Sequence, residues 1–104
     1  MRRMNLMENM EHLTFQNLGC EIHYWYRKGS GNKWVFFFHG AGMDHAMFEA
    51  QFGLFDPTYH IIAWDARGHG LSKLEPGKSF VFCDMISDCI KLFEIYSIDR
   101  AILI

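Results

Sequence analysis

Cysteine and proline are scarce in this chain, and their scarcity argues against several kinds of protein. Among 104 residues there are two prolines and three cysteines, which are Cys20, Cys83 and Cys89. No two cysteines have C-x-x-C spacing, so the pattern favours buried, reduced thiols over a disulfide framework or a zinc site. The six histidines show no H-x-x-x-H or H-E-x-x-H spacing. We therefore predict no metal site and no cofactor.

The chain also has no large excess of positive or negative charge and no long apolar run. The formal net charge is -2, so neither nucleic acid nor an anionic membrane is an expected partner. No run approaches the roughly 20 apolar residues that span a bilayer. No apolar stretch follows the two arginines near the N-terminus, as it would in a signal peptide. These absences favour a cytoplasmic protein.

The residues that are present describe one small globular domain. Hydrophobic residues make up 50% of the chain and aromatic residues 16%, a composition typical of a packed protein and not of a disordered one. We predict one domain over residues 1–104, with residues 1–10 as a disordered tail.

Alternating strand and helix patterns predict an α/β fold. Segments 12–17 and 20–27 are rich in β-branched and aromatic residues, and they predict a hairpin at a sheet edge. Three continuous apolar runs, 34–40, 59–65 and 101–104, are typical of strands covered on both faces. Because helical patterns separate these runs, we predict a mostly parallel sheet of about five strands with two flanking helices.

Each predicted helix has an apolar face. The first, over 44–55, has Asp44 as its N-cap and a stripe formed by Phe48, Phe52 and Phe55. The second runs from residue 79 to about 96, and its charged residues, Asp88 among them, lie mostly off the apolar face. We expect that face to consist of Phe82, Met85, Ile86, Cys89, Ile90 and Phe93.

The string "HGAG" places His39, Gly40, Ala41 and Gly42 directly after the first buried strand and before a helix. In open α/β sheets, ligands bind at the carboxyl ends of the strands. Backbone N–H groups near a helix start suit a developing negative charge. Taken alone, however, such a string is more typical of a plain turn.

The string "DARGHGLS" follows the next buried strand. Gly68 and Gly70 permit a tight loop with positive φ, and Asp65 and Arg67 can brace it by charge-assisted hydrogen bonds. We predict structural bracing for this pair and not direct catalysis. The string lacks the G-K-[ST] ending of a phosphate-binding P-loop.

Together, H-G-x-G and D-x-R-G-H-G-x-S after successive strands resemble the α/β-hydrolase fold family. The resemblance covers the whole chain but only the first part of a usual family domain. It implies that Gly40, Ala41 and Gly42 form the oxyanion-hole side of an active site, with the Ala41 N–H as donor and His39 as a bracing residue. It also implies a small-molecule substrate with an ester or related acyl bond, cleaved by a serine nucleophile.

The family's catalytic residues are missing from this sequence. The family's G-x-S-x-G nucleophile elbow, and the acid and histidine that follow it, do not occur in residues 1–104. We therefore predict an N-terminal fragment that has no catalytic residue and is inactive alone. The alternative is a non-catalytic α/β module that associates with another chain, or with itself, through an open sheet edge at 101–104.

Overall fold

The structure is a computed structural model that describes residues 10–40 and 42–104. Most of the predicted disordered tail, residues 1–9, lies outside the described residues, while Met10 is buried in the core. The described strands are β1 Glu11–Asn17, β2 Cys20–Arg27, β3 Trp34–Phe37, β4 His60–Trp64 and β5 Ile102–Leu103. The helices are α1 Glu49–Phe52 and α2 Phe82–Ile95, and a short 3-10 helix, His45–Phe48, precedes α1.

The strands form one mixed sheet in the order β1-β2-β4-β3-β5. The β1–β2 and β2–β4 pairs are antiparallel, and the β3–β4 and β3–β5 pairs are parallel. The predicted edge hairpin is confirmed, but the prediction of a mostly parallel sheet is wrong. The reason is that the hairpin joins the sheet through β2, which runs against β4 and pairs Tyr24 with Trp64.

Strands β3 and β4 are covered on both faces, as their continuous apolar runs predicted. Val35 and Phe37 of β3 belong to one buried cluster, and Phe36 belongs to the other. Helix α2 lies over the Phe36 face and buries Leu92 completely. The 3-10 helix and α1 lie over the opposite face. The crossovers of this α/β fold therefore place helices on both sides of the sheet.

The first predicted helix is shorter than 44–55 because it is a 3-10 turn followed by one α-helical turn that ends at Gly53. Glycine is a poor residue for a helix interior. The predicted cap is confirmed, since an Asp44 carboxylate oxygen accepts a hydrogen bond from the Ala46 N–H at 2.9 Å. The predicted stripe is confirmed as well: three phenylalanine rings lie within 5.8 Å of the Phe37 ring, and they are Phe48, Phe52 and Phe55.

The buried face of α2 differs from the prediction. Asp88 is fully buried beside Leu92, whereas three predicted core residues are 44–61% exposed, namely Phe82, Ile86 and Ile90. On the buried side of the helix, Asp88 pairs with a buried arginine, described below. Cys83 is exposed, so the prediction that it is buried is wrong, while Cys20 is buried and all three cysteines are free.

Strand β5 lies at the sheet edge and pairs only with β3 among the described strands. Ile102 and Leu103 are 47% and 61% exposed, so this strand is not covered on both faces as its sequence predicted. None of the described helices is both long enough and apolar enough to cross a membrane.

Candidate functional site

The loops after β3 and β4 meet at one edge of the sheet because these neighbouring strands are parallel. The first loop contains the "HGAG" string and the second contains "DARGHGLS". In such a sheet this edge is where ligands bind. Two side chains, His39 and Asp65, join the two loops at this edge.

His39 uses both ring nitrogens, one to reach the second loop and the other to brace the first. Its Nε2 accepts a hydrogen bond from the Ala66 N–H at 2.8 Å, and its Nδ1 lies 3.0 Å from the Gly40 carbonyl oxygen. The two contacts are mutually consistent when Nδ1 carries the proton and donates it to Gly40. The ring centroid lies 5.1 Å from that of His69. His39 thus fixes the start of the first loop against the second.

Gly40 and Gly42 are both exposed at this edge. The Gly40 carbonyl oxygen accepts a hydrogen bond from the Met43 N–H at 3.1 Å, which closes a tight turn. Gly42 has a positive φ of 79° within that turn. Ala41, the predicted oxyanion-hole donor, lies outside the described residues, so its role remains a prediction.

Asp65 is the second link between the loops, and its side chain is fully buried. One carboxylate oxygen accepts hydrogen bonds from the His45 N–H at 2.8 Å and from His45 Nδ1 at 2.7 Å. The other accepts the Leu71 N–H at 2.9 Å. Burial alone would raise the pKa of Asp65, but these hydrogen bonds hold it below its ordinary value. Asp65 is therefore an ionised carboxylate that holds both loops.

Gly70 allows the second loop to pass directly over that carboxylate. A Cβ atom built on Gly70 would lie 2.3 Å from an oxygen of Asp65, and the residue has a positive φ of 49°. Only glycine satisfies both conditions. The tight turn that the sequence predicted at this position therefore encloses the Asp65 side chain.

Arg67 points away from the loop edge and into the protein. Its Nε donates to Asp88 at 2.6 Å and its Nη2 donates to the other Asp88 oxygen at 2.8 Å. The same Nη2 donates to the Asn17 carbonyl oxygen at 3.0 Å. Hydrogen bonding to Asp88 raises the pKa of Arg67. These contacts join the second loop to α2 and to the end of β1.

Two residues of this network were not predicted from the sequence. His45 and Asp88 lie 20 and 21 residues from their partners, Asp65 and Arg67. No motif connects them. The available signal for His45 is its position at the start of the helix that follows β3, a strand parallel to the one that ends directly before Asp65.

Asp44, His45 and Asp65 bring potential metal-ligand atoms within 4.8 Å of one another. Several of these atoms already have protein partners: one Asp44 oxygen caps the 3-10 helix, His45 Nδ1 faces Asp65, and both Asp65 oxygens accept hydrogen bonds. These hydrogen bonds account for the close approach of the three side chains. Burial raises the pKa of Cys89 to about 11, which does not suit a thiolate nucleophile.

Comparison with known proteins gives matches among solved structures. No protein-family model matches the sequence, and no curated protein sequence does. A mutant of an epoxide hydrolase from Vigna radiata matches with a TM-score of 0.79 and 28% identity over 93% of this chain and 30% of its own. A second epoxide hydrolase from Vigna radiata matches with a TM-score of 0.78 and 26% identity over 93% of this chain and 32% of its own.

A mutant of a putative epoxide hydrolase from Pseudomonas aeruginosa matches with a TM-score of 0.81 and 19% identity over 97% of this chain and 33% of its own. The chain thus spans about a third of the length of the structures that it matches. With its two loops, mixed sheet and flanking helices, the chain has the fold of the N-terminal portion of an α/β-hydrolase.

Proposed function

We propose that this chain forms the N-terminal part of a hydrolase that acts on a small-molecule ester or related acyl bond. Its first loop supplies one side of the oxyanion hole, through the Ala41 N–H. The observation that carries this proposal is the His39–Ala66 hydrogen bond of 2.8 Å, which joins the two loops at the ligand-binding edge of the sheet.

In this mechanism a serine outside residues 1–104 attacks the acyl carbon. The Ala41 N–H and a second donor, also outside this sequence, stabilise the negative charge that develops on the carbonyl oxygen. Water then hydrolyses the acyl intermediate. The chain alone is inactive by this route, because an oxyanion hole and binding contacts without a triad retain only about 10³–10⁴-fold catalysis, and this chain holds one side of the hole.

Epoxide hydrolysis is a second candidate reaction, favoured by one observation. Several of the matching solved structures are described as epoxide hydrolases. Ester hydrolysis and epoxide hydrolysis break different bonds. Measuring the hydrolysis rates of an ester and of an epoxide by the whole hydrolase therefore distinguishes the two candidate reactions.

The role of the Ala41 N–H is tested in a chimaera in which residues 10–104 replace the matching portion of the Vigna radiata epoxide hydrolase. Ala41→Pro removes the N–H, whereas Ala41→Ser retains it and serves as the matched control. We expect Ala41→Pro to lower kcat by about 10²–10³-fold and Ala41→Ser to have a much smaller effect. Equal activities of the two folded variants would contradict the assignment of Ala41 as a donor.

A non-catalytic docking role is a further candidate, favoured by an exposed apolar surface. Phe82 and Leu103 are each 61% exposed, and they line an open groove of about 360 Å³ together with Phe38, Met85, Ile86, Cys89 and Ile90. Open sheet edges accept partner strands. Light scattering of the purified chain tests this role: self-association that Leu103→Lys abolishes would support it, and a monomer at all concentrations would contradict self-association.

A further inference from the structure

His45 and Asp65 form an imidazole–carboxylate pair that none of the sequence motifs predicted. His45 Nδ1 lies 2.7 Å from an Asp65 oxygen, and the side chains are 19% and 0% exposed. A carboxylate at this distance holds the imidazole with Nδ1 as the donor. In the neutral ring the lone pair then lies on Nε2.

The Nε2 of His45 has no hydrogen-bond partner among the described residues. The His45 side chain is 19% exposed, so the ring is partly accessible to solvent. By contrast, His39 and His60 use both ring nitrogens in hydrogen bonds to the protein.

Trp25 fixes the plane of the His45 ring. The two ring centroids are 3.4 Å apart and the planes are 19° from parallel. Trp25 also stacks on His12, with ring centroids 4.5 Å apart. With Asp65 at its Nδ1 and Trp25 on its face, the orientation of the His45 ring is fixed, while Nε2 has no hydrogen-bond partner among the described residues. Such preorganisation is what distinguishes a nucleophilic imidazole from an ordinary surface histidine.

We propose that His45 is a nucleophilic imidazole, oriented by Asp65, which accepts acyl groups from activated esters such as aryl acetates. The Nε2 lone pair forms a bond to the acyl carbon, and the carbon–oxygen bond to the aryloxide breaks as the aryloxide leaves with the electron pair. Water then adds to the acylimidazole, the carbon–nitrogen bond breaks, and the carboxylic acid is released. The net reaction is ester plus water to acid plus phenol.

This activity does not depend on the proposed serine mechanism. It needs neither Ala41 nor any residue outside the described chain, and it is confined to esters with good leaving groups. Unactivated alkyl esters are not substrates, because imidazole does not expel an alkoxide efficiently. The proposal and the hydrolase assignment therefore succeed or fail separately.

The test measures p-nitrophenyl acetate hydrolysis by the purified chain, with mass spectrometry of the quenched protein to locate the acetyl group. His45→Gln retains a side-chain N–H for Asp65 but removes the nucleophile. His69→Gln is the matched control, since His69 Nε2 also has no hydrogen-bond partner among the described residues, but its Nδ1 lies 3.0 Å from the carbonyl oxygen of Arg67 and not from a carboxylate.

We expect His45→Gln to lower the second-order rate constant by about tenfold or more and His69→Gln to lower it much less. The acetyl group should be found on His45 in the unsubstituted chain, a result that does not depend on how either variant folds. Acetylation confined to other residues, or an equal loss of rate in both variants, would overturn the proposal.

Discussion

Arg67 and Asp88 form a bidentate ion pair in the protein interior. Arg67 Nε donates to one Asp88 oxygen at 2.6 Å, and Nη2 donates to the other at 2.8 Å. Both side chains are buried, at 3% and 0% exposed. The second Arg67 neighbour, Asp84, is more distant at 3.7 Å and 37% exposed.

Removing the Asp88 charge should strongly destabilise the fold. Asp88→Ala leaves the Arg67 guanidinium buried without its counter-charge, a change that costs about 3–5 kcal/mol in comparable pairs. Asp84→Ala breaks only a half-exposed contact and should cost less than about 1 kcal/mol. Urea unfolding of the three proteins measures both changes. Equal losses would show that Asp88 does not hold Arg67 in the way described.

Replacing the pair by apolar residues separates charge from packing. The double variant Arg67→Met with Asp88→Leu removes both charges together, and such replacements are often neutral or stabilising. We expect it to be more stable than Asp88→Ala alone in the same urea titration. A double variant less stable than the single one would contradict this prediction.

Gly70 should be irreplaceable for a reason that Gly77 does not share. Both have positive φ, so alanine is strained at either position by about 1–2 kcal/mol. Only at Gly70 does the added Cβ collide with the Asp65 carboxylate, while at Gly77 nothing lies within 4 Å. Gly70→Ala should therefore lower the midpoint of thermal unfolding by clearly more than Gly77→Ala. Similar midpoints for the two variants would contradict the close approach of Gly70 to the Asp65 carboxylate.

Asp65 should make stability depend on acidic pH. Its pKa in the folded state lies below the ordinary value, so folding favours the ionised form. That contribution is present above the unfolded-state pKa of about 3.9 and is lost as pH falls through the folded-state value. Asp65→Asn should therefore have a lower free energy of unfolding at neutral pH. Its free energy of unfolding should also fall less than that of the unsubstituted chain as the pH is lowered. Asp99→Asn, at an exposed carboxylate, is the control, and a curve for Asp65→Asn parallel to that of the unsubstituted chain would contradict the prediction.

Features that depend on neighbouring residues were predicted correctly from the sequence. The hairpin, the two-faced central strands and the Asp44 cap each follow from a local pattern of apolar or polar residues. The mixed sheet was not predicted, because the pairing of β2 with β4 joins segments separated by a whole strand and two helical turns. Periodicity in a single segment does not determine which strand it will pair with.

In the candidate site too, the residues of local motifs were predicted and their partners distant in the sequence were not. His39, Asp65, Arg67, Gly68 and Gly70 stood in recognisable loop motifs, whereas the partners His45 and Asp88 lay in helices. Asp88 looked like a solvated charge on α2, because helical spacing alone placed it off the apolar stripe. Asp88 is buried together with an arginine 21 residues away, a partner that no pattern within α2 indicates.

The hydrogen bond from the Ala66 N–H to His39 Nε2 tests the central claim most directly, because it joins the two loops into one site. A scalar coupling across an N–H···N hydrogen bond is measurable by nitrogen-15 NMR of the labelled chain. We predict a coupling between the Ala66 amide nitrogen and His39 Nε2, with the imidazole proton on Nδ1. A proton on Nε2 of neutral His39, or an Ala66 amide that exchanges freely with solvent, would contradict the account.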